Sequence, residues 1–160
     1  TKYYRMTLNA DVRLKHAYIL HCTHADKDEH GEITTIYADY YPNSKSGEDV
    51  SGIKPKGTLH WVSAADSIPA EVRLYDRLFS VPDPTDDDNV DFLEYYNKES
   101  LTIVNNARAE STLSVALPGT QYQFLRQGYF CIDEESTQEH LVINKTVGLK
   151  ESFSKEVKKA

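Results

Sequence analysis

Hydrophobic and polar residues alternate along several short segments of this chain, a spacing typical of β-strands. Apolar side chains are densest over residues 57–84, and this stretch is predicted to form the core. One strand is predicted over residues 58–63 and a second over residues 72–81. Residues 66–69 are predicted to connect them because Pro69 lacks a backbone N–H. The pattern alone therefore predicts a buried hairpin.

The remaining segments carry the same alternation between polar breaks. Residues 1–22 and 33–41 are predicted strands, and the polar sequence between them contains Gly31, which tolerates a positive φ, so a hairpin is expected. Residues 42–56 are predicted to be a surface loop without a fold of its own. Further strands are predicted over residues 101–104, 121–132 and 141–149.

Helical signals are few and short. Phe92 lies three and four positions before two tyrosines, so one short helix capped by Asn89 or Asp91 is expected. A second turn, capped by Ser111 or Thr112, is expected to end at Pro118-Gly119. Seven or eight strands against two helical turns predict an all-β barrel or sandwich.

Charge limits the class of partner. The 160 residues include 18 Lys and Arg and 25 Asp and Glu, which give a net charge of -7. A nonspecific nucleic-acid binder usually has an excess of basic residues, so that class is disfavoured. A specific RNA binder can be acidic overall when its basic residues gather on one face, and the run over residues 86–88 shows acids concentrated in a loop.

No pattern in the sequence indicates catalytic or metal chemistry. The chain has no phosphate-binding glycine loop and no nucleophile elbow. His21, Cys22 and His24 lack a fourth ligand, and residues three apart on a strand face opposite sides, so no zinc site is predicted. His60 is expected to be a hydrogen-bonded core residue. The acidic run lacks the spacing of a calcium loop.

The sequence also predicts the redox state of the two cysteines and the cellular compartment of the protein. Cys22 and Cys131 lie far apart within strand patterns and are expected to be reduced, buried thiols. No signal peptide and no membrane-length apolar run is evident, which favours a cytoplasmic protein. The chain begins without an initiator Met, and we expect it to be part of a longer polypeptide.

The sequence HWVSAADSIPAEVRLYDRLFSVPDP, residues 60–84, resembles a known family. It is similar to the C-terminal anticodon-binding region of bacterial glutaminyl-tRNA synthetases, in which an HWVSA segment leads into an E-[IV]-R-L-Y-D-R-L-F run and a proline pair. The similarity continues through DVRLKHAY, GEITTIYADY, QYQFLRQGYFC and INKTVGL. It therefore covers nearly the whole chain.

The resemblance implies two antiparallel β-barrels, similar to each other and to a ribosomal protein that binds 5S rRNA. Residues 1–104 would form the distal anticodon-binding barrel. Residues 105–160 would form the C-terminal part of the barrel nearer the catalytic core. Other strands of that second barrel would precede this chain, so it is expected to be incomplete here.

The resemblance also implies a function, which is recognition of the tRNA(Gln) anticodon during ATP-dependent glutaminylation. Its partners would be the anticodon loop and a catalytic core in the same polypeptide, with neither membrane nor DNA involved. ATP and Mg would be used in that core, no cofactor is expected in this chain, and the chain alone should be inactive. Alternatives are the same region of an archaeal-type glutamyl-tRNA synthetase, a noncatalytic rRNA-binding β-barrel, and a protein-interaction module.

Five anticodon-binding residues follow from the resemblance. Arg5 matches an arginine that contacts a guanine at the third base, and Arg13 and Lys15 fall near the first base. Lys15 stands where well-known members carry arginine, which argues against a bidentate contact there. Gln123 and Arg126 match the pair that reads the central uracil, and glutamine offers both a donor and an acceptor.

Three details of these assignments can be checked. Gln123 and Arg126 are three apart, so a bulge or a strand end is required to bring them to one side. Arg13 and Lys15 are expected to point outward, and their replacement should scarcely affect folding. Lys2 and Tyr4 stand where the family has glutamine and lysine, so the third-base pocket is expected to be partly altered.

Overall fold

The structure, a computed structural model, describes residues 5–149, and this part of the chain forms nine β-strands and three short 3-10 helices. The strands are β1 Asp11–Leu14, β2 Ile19–Lys27, β3 Ile33–Tyr40, β4 Thr58–Leu59, β5 Ile68–Tyr75, β6 Leu101–Ala109, β7 Gln121–Phe124, β8 Gly128–Ile132 and β9 Leu141–Val147. The 3-10 helices are Pro42–Ser44, Phe92–Tyr95 and Ser111–Val115. The predicted all-β class is confirmed.

The strands form two mostly antiparallel sheets. One has the order β3-β2-β1-β4 and the other the order β6-β5-β9-β8-β7. The pairs β1–β4 and β5–β9 are parallel. The resemblance implied two antiparallel β-barrels, the second of them incomplete; among the described strands neither sheet closes on itself, so the architecture is two open sheets.

Contacts divide the chain into two compact units, Thr1–Trp61 and Val62–Ala160. The boundary expected between residues 104 and 105 falls inside β6. That strand pairs along its whole length with β5, from Tyr75 opposite Leu101 to Ile68 opposite Ala109. The functional assignment of residues 1–104 and 105–160 to two barrels remains a prediction.

In the first unit, the predicted strand over residues 1–22 is interrupted by a turn. Ala17 N–H donates to Leu14 O at 3.0 Å, and His16 takes a φ of 61°, so the chain reverses and β2 pairs back onto β1. Ile19 at the start of β2 is completely buried, and Val12 of β1 is buried as well. The β2–β3 hairpin is confirmed, with Gly31 at a φ of 81°.

The segment after β3 is anchored by a buried serine, although residues 42–56 were predicted to be a loop without structure. Ser44 is 0% exposed. Its Oγ accepts from Ile19 N–H at 2.7 Å and donates to Tyr41 O at 2.7 Å. A buried backbone N–H without a partner is destabilising, so this hydroxyl satisfies a donor that the sheet leaves open.

The core of the second unit lies between the sheet and the third 3-10 helix. It consists of Ala70, Ala109, Leu113, Phe130, Ile132, Leu141 and Ile143. Phe124 packs against it, with its ring 4.6 Å from that of Phe130. Ala70 is the only one of residues 57–84 that is buried, so the prediction that this stretch forms the core is wrong.

The predicted hairpin within residues 57–84 is also wrong, because β4 and β5 belong to different sheets. Trp61 is 42% exposed, and its indole nitrogen donates to Lys15 O at 2.9 Å. Pro69 lies in β5 opposite Arg108, not in a connection. A proline is tolerated there because it is close to the start of the strand, where one missing N–H costs little pairing.

The two predicted helical turns are present as 3-10 helices. Asp91 caps the first, and its side chain accepts from Leu93 N–H at 3.0 Å, as expected. The second begins at Ser111 after Glu110, without a side-chain cap. The Ser111 hydroxyl donates instead to Asp66 at 3.0 Å, so the predicted cap is wrong.

An ion-pair network ties the loop after β8 to β5. Arg73 Nε donates to Glu71 at 2.7 Å, its Nη2 donates to Glu135 at 2.6 Å, and its Nη1 lies 3.6 Å from Asp133. Asn144 of β9 also donates to Asp133. The Glu135 backbone N–H, Asn144 and Arg73 together hold the pKa of Asp133 below its usual range.

Replacing Ser44 by Ala should lower the free energy of unfolding by about 1–3 kcal/mol, because Ile19 N–H loses its buried acceptor. Ser114→Ala, at an exposed serine, is the control and should change the free energy by less than about 0.5 kcal/mol. Urea unfolding monitored by circular dichroism measures both. Equal effects of the two substitutions would show that the Ser44 hydroxyl is not a structural anchor.

Asp133→Asn should lower the free energy of unfolding at pH 7, and the difference from wild type should shrink near pH 3. Because the folded pKa of Asp133 is depressed, its contribution is present above the unfolded pKa, about 3.9, and is lost as pH falls through the folded pKa. Urea unfolding at both pH values provides the comparison, with the exposed Asp86→Asn as control. A difference independent of pH would contradict this role for the carboxylate.

Candidate functional site

The five candidate RNA-contacting residues fall into one group in each unit. Arg5, Arg13 and Lys15 lie in the unit Thr1–Trp61, and Gln123 and Arg126 lie in the unit Val62–Ala160. The first group occupies the segment before β1, β1 itself and the turn after it. In the second group, Gln123 lies in β7 and Arg126 lies in the turn between β7 and β8.

The β7–β8 turn provides the strand end that Gln123 and Arg126 require. Gln123 lies opposite Tyr129, and the next pair, Phe124 opposite Gly128, is the last before the turn. Gln127 N–H donates to Phe124 O at 2.9 Å and closes the turn. The predicted single strand over residues 121–132 is thus two strands, and the expected break near Gln123 is confirmed.

Backbone conformation distinguishes Arg126 within this turn. Its φ is 66°, in the left-handed region that residues with a side chain rarely occupy. Gly128 follows at a φ of 147°, where an added Cβ would lie 2.7 Å from Val147 O. The turn is therefore fixed by close approach of β9 at one end and by a left-handed residue at its tip. Such conformations are enriched at functional sites.

Alternation along β7 directs Gln123 to solvent. Tyr122 and Phe124 pack on the hydrophobic core, whereas Gln121 and Gln123 are exposed. Arg126 is exposed as well. An amide and a guanidinium at the end of one hairpin offer donors and an acceptor to the edge of a base.

Arg13 does not project freely into solvent. Its side chain is 18% exposed, and its Nη1 donates to Ser44 O at 2.7 Å and Ala17 O at 3.2 Å. Nη2 donates to Asp49, whose pKa is lowered first by hydrogen bonds from Ser51 and further by Arg13. The expectation that Arg13 points outward without a folding role is therefore wrong, because its guanidinium satisfies carbonyl groups of two loops.

Lys15 and Arg5, the other two candidates in this unit, are at least partly exposed. Lys15 is partly exposed, and its backbone carbonyl accepts from Trp61. Arg5 is exposed and lines a groove of about 640 Å³ together with Thr7, residues 9–12 and residues 54–57. The groove also contains Lys54 and Lys56, which were not among the predicted site residues. Lys2 and Tyr4 lie outside the described residues.

The histidines and cysteines occupy ordinary structural positions. His21 hydrogen-bonds to Asp11 at 2.7 Å, and His24 hydrogen-bonds to Asp26 at 3.0 Å. His60 is exposed, so its predicted core position is wrong. The two cysteines are free thiols, Cys22 buried and Cys131 half-buried. Within residues 5–149 no three His, Cys, Asp or Glu side chains are grouped to hold a metal ion.

No helix in the described part of the chain has the length and apolar character needed to cross a membrane.

Comparison with known proteins gives consistent similarities. A family model described as "tRNA synthetases class I (E and Q), anti-codon binding domain" matches residues 58–133. The chain is 46% identical over 155 residues to glutamine--tRNA ligase of Serratia proteamaculans (strain 568) and 47% identical over 154 residues to that of Proteus mirabilis (strain HI4320). It is 46% identical over 155 residues to that of Escherichia coli (strain K12 / DH10B).

These alignments differ in what they cover. Each pairwise match includes 96% of this chain but 27% of the relative, so the chain spans about a quarter of the length of the curated relatives it matches. The match to the family model includes Gln123 and Arg126. It begins at residue 58 and so does not include Arg5, Arg13 and Lys15.

Arg13→Ala should lower the free energy of unfolding by about 1–3 kcal/mol, because it leaves Ser44 O and Asp49 without their charged donor. Lys15→Ala, which removes the same charge from a partly exposed side chain two residues away, should change it by less than about 0.5 kcal/mol. Denaturant unfolding of both variants is the measurement. If Arg13→Ala were as stable as wild type, its hydrogen bonds would not contribute to folding.

Proposed function

We propose that this chain, which is similar to the anticodon-binding domains of class I tRNA synthetases (E and Q), recognises the anticodon of tRNA(Gln) as part of a glutamine--tRNA ligase. The observation that carries the proposal is the β7–β8 turn. It presents Gln123 and Arg126 to solvent on a backbone held against β9. A rigid turn with exposed, unlike polar groups suits reading a base by hydrogen bonds.

We propose that Gln123 and Arg126 read the central uracil. Uracil presents a donor N3–H between two carbonyl acceptors, and the glutamine amide has both an acceptor and a donor to match. The guanidinium adds further donors with a fixed planar geometry. Unpaired bases of an anticodon loop are accessible to such contacts because they are not held in a duplex.

We further propose that the first unit contacts the flanking bases. Arg5 is exposed, and its guanidinium suits a guanine at the third base. Lys15 supplies the outward contact near the first base. Arg13 already donates to two loop carbonyls through Nη1 and to Asp49 through Nη2, so its role there is to position the turn that carries Lys15. Direct contact of Arg13 with the first base remains a prediction.

Catalysis is assigned to a part of the polypeptide outside this sequence. The curated relatives are glutamine--tRNA ligases about four times as long as the chain. The proposed protein is a cytoplasmic enzyme whose catalytic core uses ATP, Mg and glutamine, and to which this chain supplies tRNA recognition. The 160-residue chain alone should show no ATP–pyrophosphate exchange, and exchange above that of a mock preparation would contradict this assignment.

In the intact enzyme, Arg126→Ala should reduce discrimination at the central base by about 1–3 kcal/mol, as expected for the loss of one good contact to a base edge. Gln123→Ala should have a similar effect. The measurement is kcat/KM for tRNA with the cognate anticodon against tRNA substituted at the central base alone.

Gln138→Ala is the matched control, because Gln138 is also exposed but lies in the loop after β8. Melting temperatures of all three variants should stay close to wild type. Discrimination that is unchanged in Arg126→Ala and Gln123→Ala, or lost only together with stability, would show that these side chains do not read the base.

A further inference from the structure

The groove beside Arg5 has walls that are fixed by backbone hydrogen bonds. On one side, Asn9 N–H donates to Cys22 O at 2.8 Å and Cys22 N–H donates to Ala10 O at 3.2 Å. On the other, Arg13 N–H donates to Gly57 O at 3.0 Å, and β1 pairs with β4. These bonds place the segment before β1 next to the segment before β4. The groove between them is therefore a formed feature of the first unit.

The charge of this groove is opposite to that of the whole chain. Arg5, Lys54 and Lys56 line it, and all three are exposed. No ion pair joins them to a carboxylate within residues 5–149, whereas Arg13 and Arg73 are both paired. In a chain of net charge -7, three cations without acidic partners around one groove create a local positive potential.

The groove wall contains one acidic residue, Asp11, so three cations against one carboxylate still leave an excess of positive charge. Asp11 Oδ1 accepts from Tyr41 OH at 3.1 Å and hydrogen-bonds to His21 Nδ1 at 2.7 Å. Its carboxylate is thus engaged by β2 and by the segment after β3. Thr7 and Asn9, which also line the groove, carry neutral polar side chains that can bond to an anion's oxygens.

The proline between the two lysines restricts the backbone that carries them. Pro55 fixes its own φ, has no N–H, and disfavours helical backbone at Lys54. It is half-buried, whereas Lys54 and Lys56 are exposed. Both ammonium groups therefore extend from a restrained piece of backbone, and a compact ammonium charge suits a phosphate oxygen.

The geometry points to a phosphate-binding groove in which Lys54 and Lys56, beside the base-reading Arg5, hold the RNA backbone next to the bases that the first unit reads. This inference rests on the proposed function, because that function brings RNA to this unit. The ligand class is the phosphodiester backbone of a single-stranded loop. Lys54 and Lys56 are positioning residues that add affinity without reading sequence.

The test uses the intact protein and an anticodon stem-loop RNA of the glutamine type. Lys54→Gln/Lys56→Gln should weaken binding on the order of tenfold at low salt and should reduce the slope of log K against log salt by about 1.4, because each lost phosphate contact removes about 0.7. The preference for the cognate loop over a loop with one changed base should stay the same. Lys27→Gln/Lys98→Gln, at exposed lysines outside the groove, is the control and should leave both slope and affinity unchanged.

The outcomes separate this inference from the proposed function. Wild type that binds the cognate and scrambled loops equally would overturn the proposed function. Cognate preference together with an unchanged salt slope in Lys54→Gln/Lys56→Gln would overturn the groove alone. Equal losses in the groove and control variants, or lysine-dependent binding of polyglutamate as tight as that of RNA, would also overturn it. Unchanged melting temperatures show that the variants remain folded.

Discussion

The first unit depends on polar anchoring, because the described residues give it little buried apolar surface. Val12, Ile19 and Cys22 are its buried hydrophobic side chains. A core of this size contributes only a few kcal/mol to folding by burial. Hydrogen bonds that fix the loops therefore supply a larger share of the stability of this unit. Ser44 satisfies Ile19 N–H from the segment after β3, and Arg13 bonds the carbonyl of the same serine. One buried serine and one half-buried arginine thus connect β1, β2 and the loop after β3.

The second unit is organised around β5, which is paired on both sides, by β6 and β9. Its outer ion pairs through Arg73 hold the loop after β8, and its apolar side chains pack toward Phe130 and Ile143. The β7–β8 hairpin is the continuation of this sheet, so the position of Arg126 follows from the same packing. A turn that is already fixed at the end of a sheet loses less conformational entropy when it contacts a base.

The sequence predicted the element types well and their packing poorly. Alternation and a polar turn were sufficient for the β2–β3 hairpin, since both signals are local. Residues 57–84 were misread as a hairpin core because hydrophobicity does not reveal that β4 and β5 join different sheets. Arg13 was misread as a free surface residue because two of its partners, Ser44 and Asp49, lie more than thirty positions away. Lys54 and Lys56 were not among the predicted site residues, because their proximity to Arg5 depends on the pairing of β1 with β4 and is not visible in the sequence.

The most direct test of the account is an NMR titration of the intact protein with an anticodon stem-loop RNA. The side-chain amide of Gln123 and the backbone amides of residues 125–127 should shift with the cognate loop. Their shifts should be much smaller with a loop altered at the central base, and the amides of Glu71 and Asp133 should not move. Shifts of residues 125–127 that are the same for both loops, or absent with the cognate loop, would contradict the claim that this turn reads the anticodon.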